Sequence, residues 1–393
     1  MYDLKDKALI EALAYIPDPR KKRGIRYKYT DLMLMAIYAI LSGYSGGGDI
    51  ADYVEMNFEY FSKLLGIKKA PSHDTFSRIV RMTDFDYLSS TLGQWLSIHY
   101  PEIYKEYDNF KVLHIDGKSV RAATAKSEGE KPVYLLNAMY EGGTISLYTK
   151  QIGDKENETG QIVDFLSAMD LNNTIVTIDA AGTTEPILNH ICNSNGYYLV
   201  PVKKNQKRLY ETIEKTVADY EKSGKFDTLK RVELTQSGHG RKERIRTTMI
   251  SNTAFIFEQL GLDSFYGTIA RVGVMDKLVS QKIEGKEQVT ETRTFLITNL
   301  ESISVENMQL IKLAHWNIEM QHWILDVQLN EDRDTSRKEN AIKNNSIIKR
   351  FCMHIKNNCK YKEYRLSKFF MNNLFKIENV TEILAAQTEN SSS

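Results

Sequence analysis

The chain has 393 residues, 42% hydrophobic and 26% charged, a composition that indicates a folded protein of two or three domains. Its formal net charge of +1 neither favours nor excludes nucleic acid, because the basic residues cluster in short segments. The longest apolar run, residues 32–41, is much shorter than the roughly 20 residues that span a bilayer, and the first residues have no signal-peptide pattern. We therefore expect a cytoplasmic protein with no membrane partner.

The three cysteines, Cys192, Cys352 and Cys359, form an odd set without paired spacing, which is typical of a reducing compartment rather than a disulfide framework. Cys352, His354 and Cys359 could supply three ligands to a zinc ion. No fourth ligand is evident and the segment has a helical pattern, so the sequence does not favour a zinc site here.

Residues 1–105 have helical patterns throughout. Residues 31–42 predict an apolar helix that ends before a glycine cluster at 46–48, and residues 50–56 predict the next helix. Ser72 offers a helix cap ahead of an amphipathic segment. Such short helices are typical of helix-turn-helix modules and equally of other small helical domains. The glycine cluster follows a helix and lacks a Gly-Lys-Ser/Thr ending, so it does not predict a nucleotide-binding loop.

From about residue 106 the pattern changes to strands, in the order βββαβαβ. The predicted strands are 111–116, 132–140, 144–152, 174–178 and 197–203, and the predicted helices are 161–171 and 184–193. This is the order of an RNase H-like fold, in which the ends of the first and fourth strands lie side by side. Asp116 and Asp179 fall at these two ends.

Residues 210–300 predict a mostly β insertion, and a long helical pattern resumes at residue 305. The fold we predict is α/β: an RNase H-like core with a mixed five-stranded sheet and helices, interrupted by this insertion and preceded by a helical domain. The predicted segments are a helical DNA-binding domain at 1–105, the first part of the core at 106–209, the insertion at 210–300, the final helix region of the core at 301–360 and a C-terminal tail at 361–393.

Three carboxylates are candidates for a shared metal site. Asp116 and Asp179 each follow a run of buried apolar residues, where a carboxylate is costly unless it is paired or binds a cation. Glu319 lies on a later helix. Two such ligands from neighbouring strands and one from a helix can hold a pair of Mg²⁺ ions about 4 Å apart for phosphoryl transfer.

The helix around Glu319 has two side-chain stripes. Trp316, Met320, Trp323 and Val327 recur at helical spacing and predict a buried stripe, and a polar stripe one residue earlier contains His315, Glu319, His322 and Asp326. The alternative interpretation is an ordinary solvated face, but the two strand-end aspartates favour a helix that presents Glu319 to metal ions. Glu319 and His322 also fit the Glu-x-x-His motif of di-iron bundles, but the required second motif is absent.

Two basic clusters could contact phosphates. The first, which we call the basic arm, contains Arg20, Lys21, Lys22, Arg23, Arg26 and Lys28, and the second contains Lys203, Lys204, Lys207 and Arg208. Each is most often a solvated surface. The second cluster follows the fifth predicted strand, at the edge of the sheet where a phosphate backbone would pass, and Lys118 and Arg121 would lie close by.

Several strings resemble the DDE transposases of bacterial insertion sequences, of the H-repeat-associated type. They are Ile115-Asp116-Gly117-Lys118-Ser119-Val120-Arg121, Val176-Thr177-Ile178-Asp179-Ala180, Val202-Lys203-Lys204-Asn205-Gln206 and His315-Trp316-Asn317-Ile318-Glu319 followed by Leu325-Asp326-Val327. The strings Asp18-Pro19-Arg20 and Pro71-Ser72-His73-Asp74-Thr75-Phe76 resemble the domain that precedes the catalytic core in this family. The resemblance covers residues 15–355.

The resemblance implies a catalytic and metal-binding triad of Asp116, Asp179 and Glu319. Related transposases carry a Tyr, Arg, Glu, Lys signature around the third acid. Here Lys312 and His315 occupy the Tyr and Arg positions, and Asp326, at the Lys position, becomes a weaker candidate for a metal ligand. His239-Gly240-Arg241 and Thr290-Glu291-Thr292-Arg293 in the insertion also resemble the family, as structural or DNA-facing segments.

The implied activity is cleavage of insertion-sequence ends and joining of the 3′-hydroxyl to target DNA, with two Mg²⁺ or Mn²⁺ ions. The implied partners are the terminal inverted repeats, target DNA and a second copy of the chain on DNA, and the implied location is the bacterial nucleoid. We expect His315, His322, His239 and Arg241, with the C-terminal residues Arg337, Lys338, Lys349 and Arg350, to contact DNA. Two alternatives remain: a non-catalytic DNA-binding relic or regulator, and a simple RNase H-like nuclease.

Overall fold

A computed structural model describes residues 7–23, 25–99, 105–120, 133–141, 144–152, 158–179, 182–238, 240–261, 265–283, 286–331 and 340–385. The chain divides into two compact units. The helical unit contains Met1–Tyr104, Gly117–Gly153 and Met320–Ser393, and the sheet unit contains Lys105–Asp116 and Asp154–Glu319.

The helices in chain order are α1 (Lys7–Leu13), α2 (Tyr29–Leu41), α3 (Gly47–Met56), α4 (Phe58–Leu65), α5 (His73–Met82), α6 (Phe85–His99), α7 (Glu158–Ser167), α8 (Glu185–Asn193), α9 (Lys207–Lys222), α10 (Ala254–Leu260), α11 (Val305–Ala314), α12 (Trp316–Val327), α13 (Ala341–Asn358), α14 (Leu366–Phe375) and α15 (Glu378–Ala385). The strands are β1 (Lys111–Val120), β2 (Val133–Tyr140), β3 (Thr144–Ile152), β4 (Thr174–Ile178), β5 (Tyr197–Val202), β6 (Lys230–Gly238), β7 (Arg241–Ile250), β8 (Arg271–Ile283) and β9 (Lys286–Thr298). None of the described helices is long and apolar enough to cross a membrane.

The helical unit is built around α2, which is buried along almost its whole length. A helix that is apolar on all sides needs neighbours on all sides. The N-terminal helices and the C-terminal helices α13, α14 and α15 supply them in one continuous apolar core. The residues after 360, predicted as a tail, therefore contribute two helices to this core.

Buried asparagines join the two ends of the chain within the helical unit. The side-chain amide of Asn344 in α13 donates to the carbonyls of Val80 and Thr83, at 2.7 and 2.8 Å. Asn373 in α14 donates to the carbonyl of Leu41 at 2.7 Å. These carbonyls lie at or just beyond the ends of α5 and α2, where helices leave backbone acceptors without partners in the helix itself, so the asparagines satisfy them.

The predicted β-order is confirmed, and each unit contributes part of it. In the sheet unit, the strands are ordered β1-β4-β5-β9-β8-β7-β6, and in the helical unit β2 pairs with β3. Strand β4 pairs in parallel with β1 and with β5, whereas β2 and β3 pair antiparallel. The first and fourth strands are therefore neighbours, as an RNase H-like order requires.

The predicted insertion extends the sheet. Strand β9 pairs antiparallel with β5, from Leu199 opposite Thr298 to Val202 opposite Phe295, and β8, β7 and β6 follow in antiparallel order. Helix α11 packs closely on this sheet, because a side chain at Gly273 would place its Cβ 2.4 Å from the sulfur of Met308. The segment thus supplies part of the surface on which the helix before Glu319 rests.

Candidate catalytic site

Asp116 and Asp179 lie next to each other in the register of two parallel strands. The pairing of β1 with β4 runs from Lys111 opposite Thr174 to Ile115 opposite Ile178, and each aspartate is the next residue. Neighbouring strands are about 4.8 Å apart, so the two carboxylates start from adjacent backbone positions. Strand β1 continues to Val120, so Asp116 lies inside its strand, not at the predicted end, whereas Asp179 directly follows β4.

The two aspartates share one face of the sheet with the residues two positions before them. Side chains alternate along a strand, which places Val112, His114 and Asp116 on one face of β1, and Ile175, Thr177 and Asp179 on the same face of β4. On this face, Val112 and Ile175 share an apolar cluster with Met308 and Ile311 of α11. The helix that leads to Glu319 therefore packs on the acid-bearing face.

A buried polar layer lies on the same face, between the apolar pair Val112 and Ile175 and the two aspartates. The hydroxyl of Thr177 is 2.7 Å from Nδ1 of His114 and 2.8 Å from Nδ1 of His315, and the two imidazole rings meet edge to face at 5.6 Å. The exposed fractions of the three residues are 0%, 2% and 4% for His114, Thr177 and His315. Burial lowers the pKa of His315 to about 3, with smaller effects from Lys312 and His114 in the same direction, so this imidazole is neutral near pH 7.

Glu319 is exposed in the first turn of α12, where the helix dipole favours a negative charge. Lys312, one turn before His315, is half-buried. Burial lowers the pKa of Lys312, the Glu319 and Asp179 carboxylates oppose that effect, and the positive charge of Lys203 adds to it. Lys312 is therefore close enough to interact electrostatically with two of the three acids, Glu319 on the helix and Asp179 after β4.

The turn after β4 orients Asp179. Its carboxylate Oδ1 accepts a hydrogen bond from the Gly182 backbone N–H at 3.1 Å, and its carbonyl accepts one from the Thr183 hydroxyl at 3.2 Å. A side chain at position 182 would place its Cβ 2.3 Å from Cδ1 of the buried Ile178. Glycine therefore permits the tight turn that brings the backbone back to the carboxylate.

The three carboxylates fit hard divalent cations by their chemistry. Carboxylate oxygens are the ligands that Mg²⁺ and Mn²⁺ favour, and the register of β1 and β4 brings two of them to one place. Within the described ranges, no three His, Cys, Asp or Glu side chains are close enough together to hold a metal ion. Gathering the three acids around ions therefore requires side-chain movement, which the exposed Glu319 and Asp179 side chains permit.

The tryptophan stripe of α12 is exposed, and this prediction was wrong. Exposed fractions are 58% for Trp316, 53% for Met320, 52% for Trp323 and 52% for Val327. The buried stripe contains His315, Ile318, His322 and Leu325. Two histidines could be buried because each has a polar partner inside, Thr177 for His315 and Asn137, at 3.1 Å, for Nε2 of His322. Their burial does not favour the predicted DNA contacts.

Lys349 and Arg350 belong to the interior of the helical unit, and Asp326 is half-buried. Lys349 and Arg350 are 3% and 2% exposed, so the expectation that they grip DNA is contradicted. Burial lowers the pKa of Arg350, and the carboxylates of Glu331 and Asp326 oppose that effect. Asp326 thus has the buried guanidinium of Arg350 as an electrostatic neighbour. This favours a structural role for Asp326 over the predicted metal ligation.

The basic arm lines a groove together with α5. Arg20, Lys21, Arg23 and Arg26 face the same cleft as Arg78, with no acidic residue among its lining. Arg20 makes hydrogen bonds within the protein: its guanidinium donates to the Asp18 carboxylate at 2.8 Å and to the carbonyl of Tyr27 at 2.9 Å. Arg20 therefore shapes the loop, while the exposed Lys21, Lys22, Arg23 and Arg26 are available to solvent.

The other predicted DNA contacts are distributed as follows. Lys203, Lys204, Lys207 and Arg208 are exposed just after β5, with Lys207 3.9 Å from Glu211. Arg241 is exposed and its guanidinium is 4.0 Å from Glu243. Arg121, His239, Arg337 and Lys338 lie outside the described residues, as does the side chain of Lys118.

Three residues of this region were not predicted as a group: His114, Thr177 and Lys312. His114 offered a signal, because it interrupts an otherwise apolar strand two residues before Asp116. A histidine there needs a buried polar partner, and the threonine two residues before Asp179 occupies the equivalent strand position. The hydrogen bond between Thr177 and His315 depends on how α11 packs on the sheet, so the spacing of residues in the sequence did not predict it.

Comparison with known proteins identifies the family. Residues 109–355 match the model described as "Transposase DDE domain", and residues 10–96 match the one described as "DDE_Tnp_1-associated". "Putative transposase YncI" from Escherichia coli O157:H7 is 27% identical over 362 residues, 90% of this chain and 88% of that protein. "H repeat-associated putative transposase YhhI" from Escherichia coli K12 is 26% identical over 90% of this chain and 91% of that protein. The resemblance found in the sequence is confirmed, and the chain belongs to the DDE transposase family.

Proposed function

We propose that this chain is an active DNA transposase that cuts the ends of a mobile DNA element and joins the freed 3′-hydroxyl to target DNA. The observation that carries the proposal is the register of β1 and β4, which sets Asp116 and Asp179 side by side on the face that also receives α11. The α/β order of the core and the family match support the same chemistry.

Three residues would hold the metal ions: Asp116, Asp179 and Glu319. Two Mg²⁺ or Mn²⁺ ions, when bound, activate the attacking oxygen and stabilise the leaving oxygen. The Gly182 N–H orients the Asp179 carboxylate, and Lys312 holds a positive charge beside Asp179 and Glu319. Lys312 and the exposed Lys203 and Lys204 would attract the phosphate that is attacked.

Two surfaces would hold the DNA. The exposed Lys21, Arg23 and Arg26 of the basic arm, with Arg78 of α5, line an acid-free groove in the helical unit. Lys203, Lys204, Lys207 and Arg208 follow strand β5 in the sheet unit. Contacts to phosphates position a duplex without reading its sequence, so these surfaces supply affinity and orientation. We expect two copies of the chain to act together, because two element ends must be joined.

The test uses duplex DNA that carries the sequences flanking the gene, incubated with Mg²⁺ or Mn²⁺ and a target plasmid. We expect the wild type to nick the element ends and to join them to the plasmid. We expect Asp116→Asn to lose cleavage by more than ~100-fold, because loss of a metal ligand costs more than the roughly 10–100-fold typical of losing a residue that only supports a ligand. DNA binding, measured by anisotropy, should remain.

Each other outcome has a distinct meaning. If Asp116→Asn cleaved as fast as the wild type, the carboxylate would have no catalytic role and the proposal would be wrong. Binding without cleavage by the wild type would favour a non-catalytic relic or regulator. Cleavage without joined product, even when a 3′-hydroxyl end is supplied, would favour a simple nuclease.

A further inference from the structure

Each of the three acids has one residue of the buried polar layer shortly before it in the chain. His114 in β1 precedes Asp116 by two residues, Thr177 in β4 precedes Asp179 by two residues, and His315, between α11 and α12, precedes Glu319 by four residues. The layer is closed by two hydrogen bonds to one hydroxyl, at 2.7 and 2.8 Å.

The step from this layer to the acids has nearly the same length in all three elements. Two residues of a strand advance about 6.6 Å. Four residues of a helix advance about 6 Å, and His315 has helical backbone angles and accepts the N–H of Ile318 at 3.3 Å, so the helical path continues through it. The buried layer therefore ties together three segments that each carry an acid a short, fixed number of residues further along the chain.

The Thr177 hydroxyl is suited to this role because it joins both rings at once. A hydroxyl has one proton to donate and accepts with its lone pairs, so it donates to one Nδ1 and accepts from the protonated Nδ1 of the other ring. One Nδ1 therefore carries a proton and the other does not. The neutral state of His315 is consistent with this arrangement.

We propose that Thr177, with His114 and His315, is a positioning residue that holds together the segments carrying Asp116, Asp179 and Glu319 and so supports a single site for divalent cations. This inference rests on the proposed function, because it assigns the alignment of the same three acids. The threonine touches neither the metal ions nor the DNA, and it acts only through the elements that carry the acids.

The test is calorimetric titration of the full chain with Mn²⁺ in the absence of DNA. We expect Thr177→Val, which keeps the shape of the side chain but removes the hydroxyl, to bind Mn²⁺ about 10–100-fold more weakly than the wild type, as for other residues that support metal ligands. Thr177→Ser keeps the hydroxyl and should restore binding to within about threefold. The ¹⁵N imidazole signals of His114 and His315 should show one protonated and one unprotonated Nδ1 in the wild type and lose that pattern in Thr177→Val.

Thr174→Val is the matched control. Thr174 is a fully buried threonine of the same strand, and its hydroxyl donates to the carbonyl of Asn172 at 3.2 Å, away from the histidines. It should bind Mn²⁺ as the wild type does. If Thr177→Val fails to fold, two variants of His315 replace it. His315→Asn can keep a hydrogen bond to the Thr177 hydroxyl through its amide, whereas His315→Leu cannot. Only His315→Leu should then lose Mn²⁺ affinity.

Asp116→Asn separates this inference from the proposed function. If the wild type binds Mn²⁺ and Asp116→Asn does not, but Thr177→Val binds as the wild type does, the positioning role is wrong and the metal site stands. If the wild type and Asp116→Asn bind Mn²⁺ equally, or neither binds, the metal site itself is wrong and both ideas fall.

Discussion

Asp326 is the residue for which sequence and structure suggest different roles. Its spacing after Glu319 and its place in a family motif made it a candidate metal ligand. Its electrostatic neighbour in the helical unit is Arg350, which is 2% exposed and also interacts electrostatically with Glu331. A buried guanidinium needs compensating carboxylates, so the structure favours a role for Asp326 in stability.

We therefore expect Asp326→Asn to lower the free energy of unfolding without changing Mn²⁺ affinity. Loss of one carboxylate beside a buried guanidinium should cost on the order of 1–3 kcal/mol, since Glu331 still compensates part of the charge. Urea unfolding and calorimetric Mn²⁺ titration measure the two quantities on the same protein. A loss of Mn²⁺ affinity with unchanged stability would return Asp326 to the metal site.

The histidines show why residue roles were harder to predict than residue positions. His315 and His322 lie on the helix stripe that the sequence predicted to be polar, and the structure buries these two histidines while Glu319 of the same stripe is exposed. Periodicity identifies the stripes of a helix but does not tell which of them faces inward. The decision depended on Thr177 and Asn137, which are far away in sequence.

At the scale of elements, the strands of the core were predictable because each is a short apolar run with clear ends. Their order was predictable as well, because it follows a known topology. The pairing of β9 with β5 was not, since an alternating pattern does not name its partner strand. For the same reason the sequence predicted a five-stranded sheet, whereas strands of the predicted insertion continue that sheet beyond β5.

The turn between β4 and α8 is the element that should be most sensitive to substitution near the acids. Gly182→Ala would place a Cβ 2.3 Å from Cδ1 and 2.5 Å from Cγ1 of the buried Ile178. Either the isoleucine or the turn must move, at a cost of about 1–3 kcal/mol. Movement of the turn would also displace the N–H that holds the Asp179 carboxylate.

We expect Gly182→Ala to lower both the melting temperature and the Mn²⁺ affinity. Gly238→Ala is a suitable control, because a Cβ at Gly238 would meet no atom within 4 Å. Thermal unfolding and Mn²⁺ titration of the two variants should therefore differ. Equal behaviour of both variants would show that the turn after β4 tolerates a side chain and does not constrain Asp179.

At the scale of the whole molecule, the charge distribution matters more than the total. A net charge of +1 gives little general attraction for a polyanion. Charges separated by more than about 10 Å are largely screened at ~0.1 M salt, so DNA affinity must come from local clusters. Arg20, bound to Asp18 and Tyr27, shapes the loop of the basic arm, and its neighbours Lys21, Lys22 and Arg23 are exposed.

We expect the combined variant Lys21→Gln, Lys22→Gln, Arg23→Gln to reduce the salt dependence of DNA binding. Each lost phosphate contact should lower the slope of log affinity against log salt by about 0.9, so the slope should fall by up to roughly 3. The loss should be equal for a duplex with the gene's flanking sequence and for a scrambled duplex, because phosphate contacts do not read sequence. Fluorescence anisotropy between about 50 and 300 mM NaCl, roughly the salt range over which such contacts weaken, measures the slope.

Lys63→Gln is the control. It removes a lysine that already pairs with Glu59, and it should leave the slope of log affinity against log salt unchanged. An unchanged slope in the triple variant would remove the basic arm from the DNA interface and leave the lysines after β5 as its main candidate.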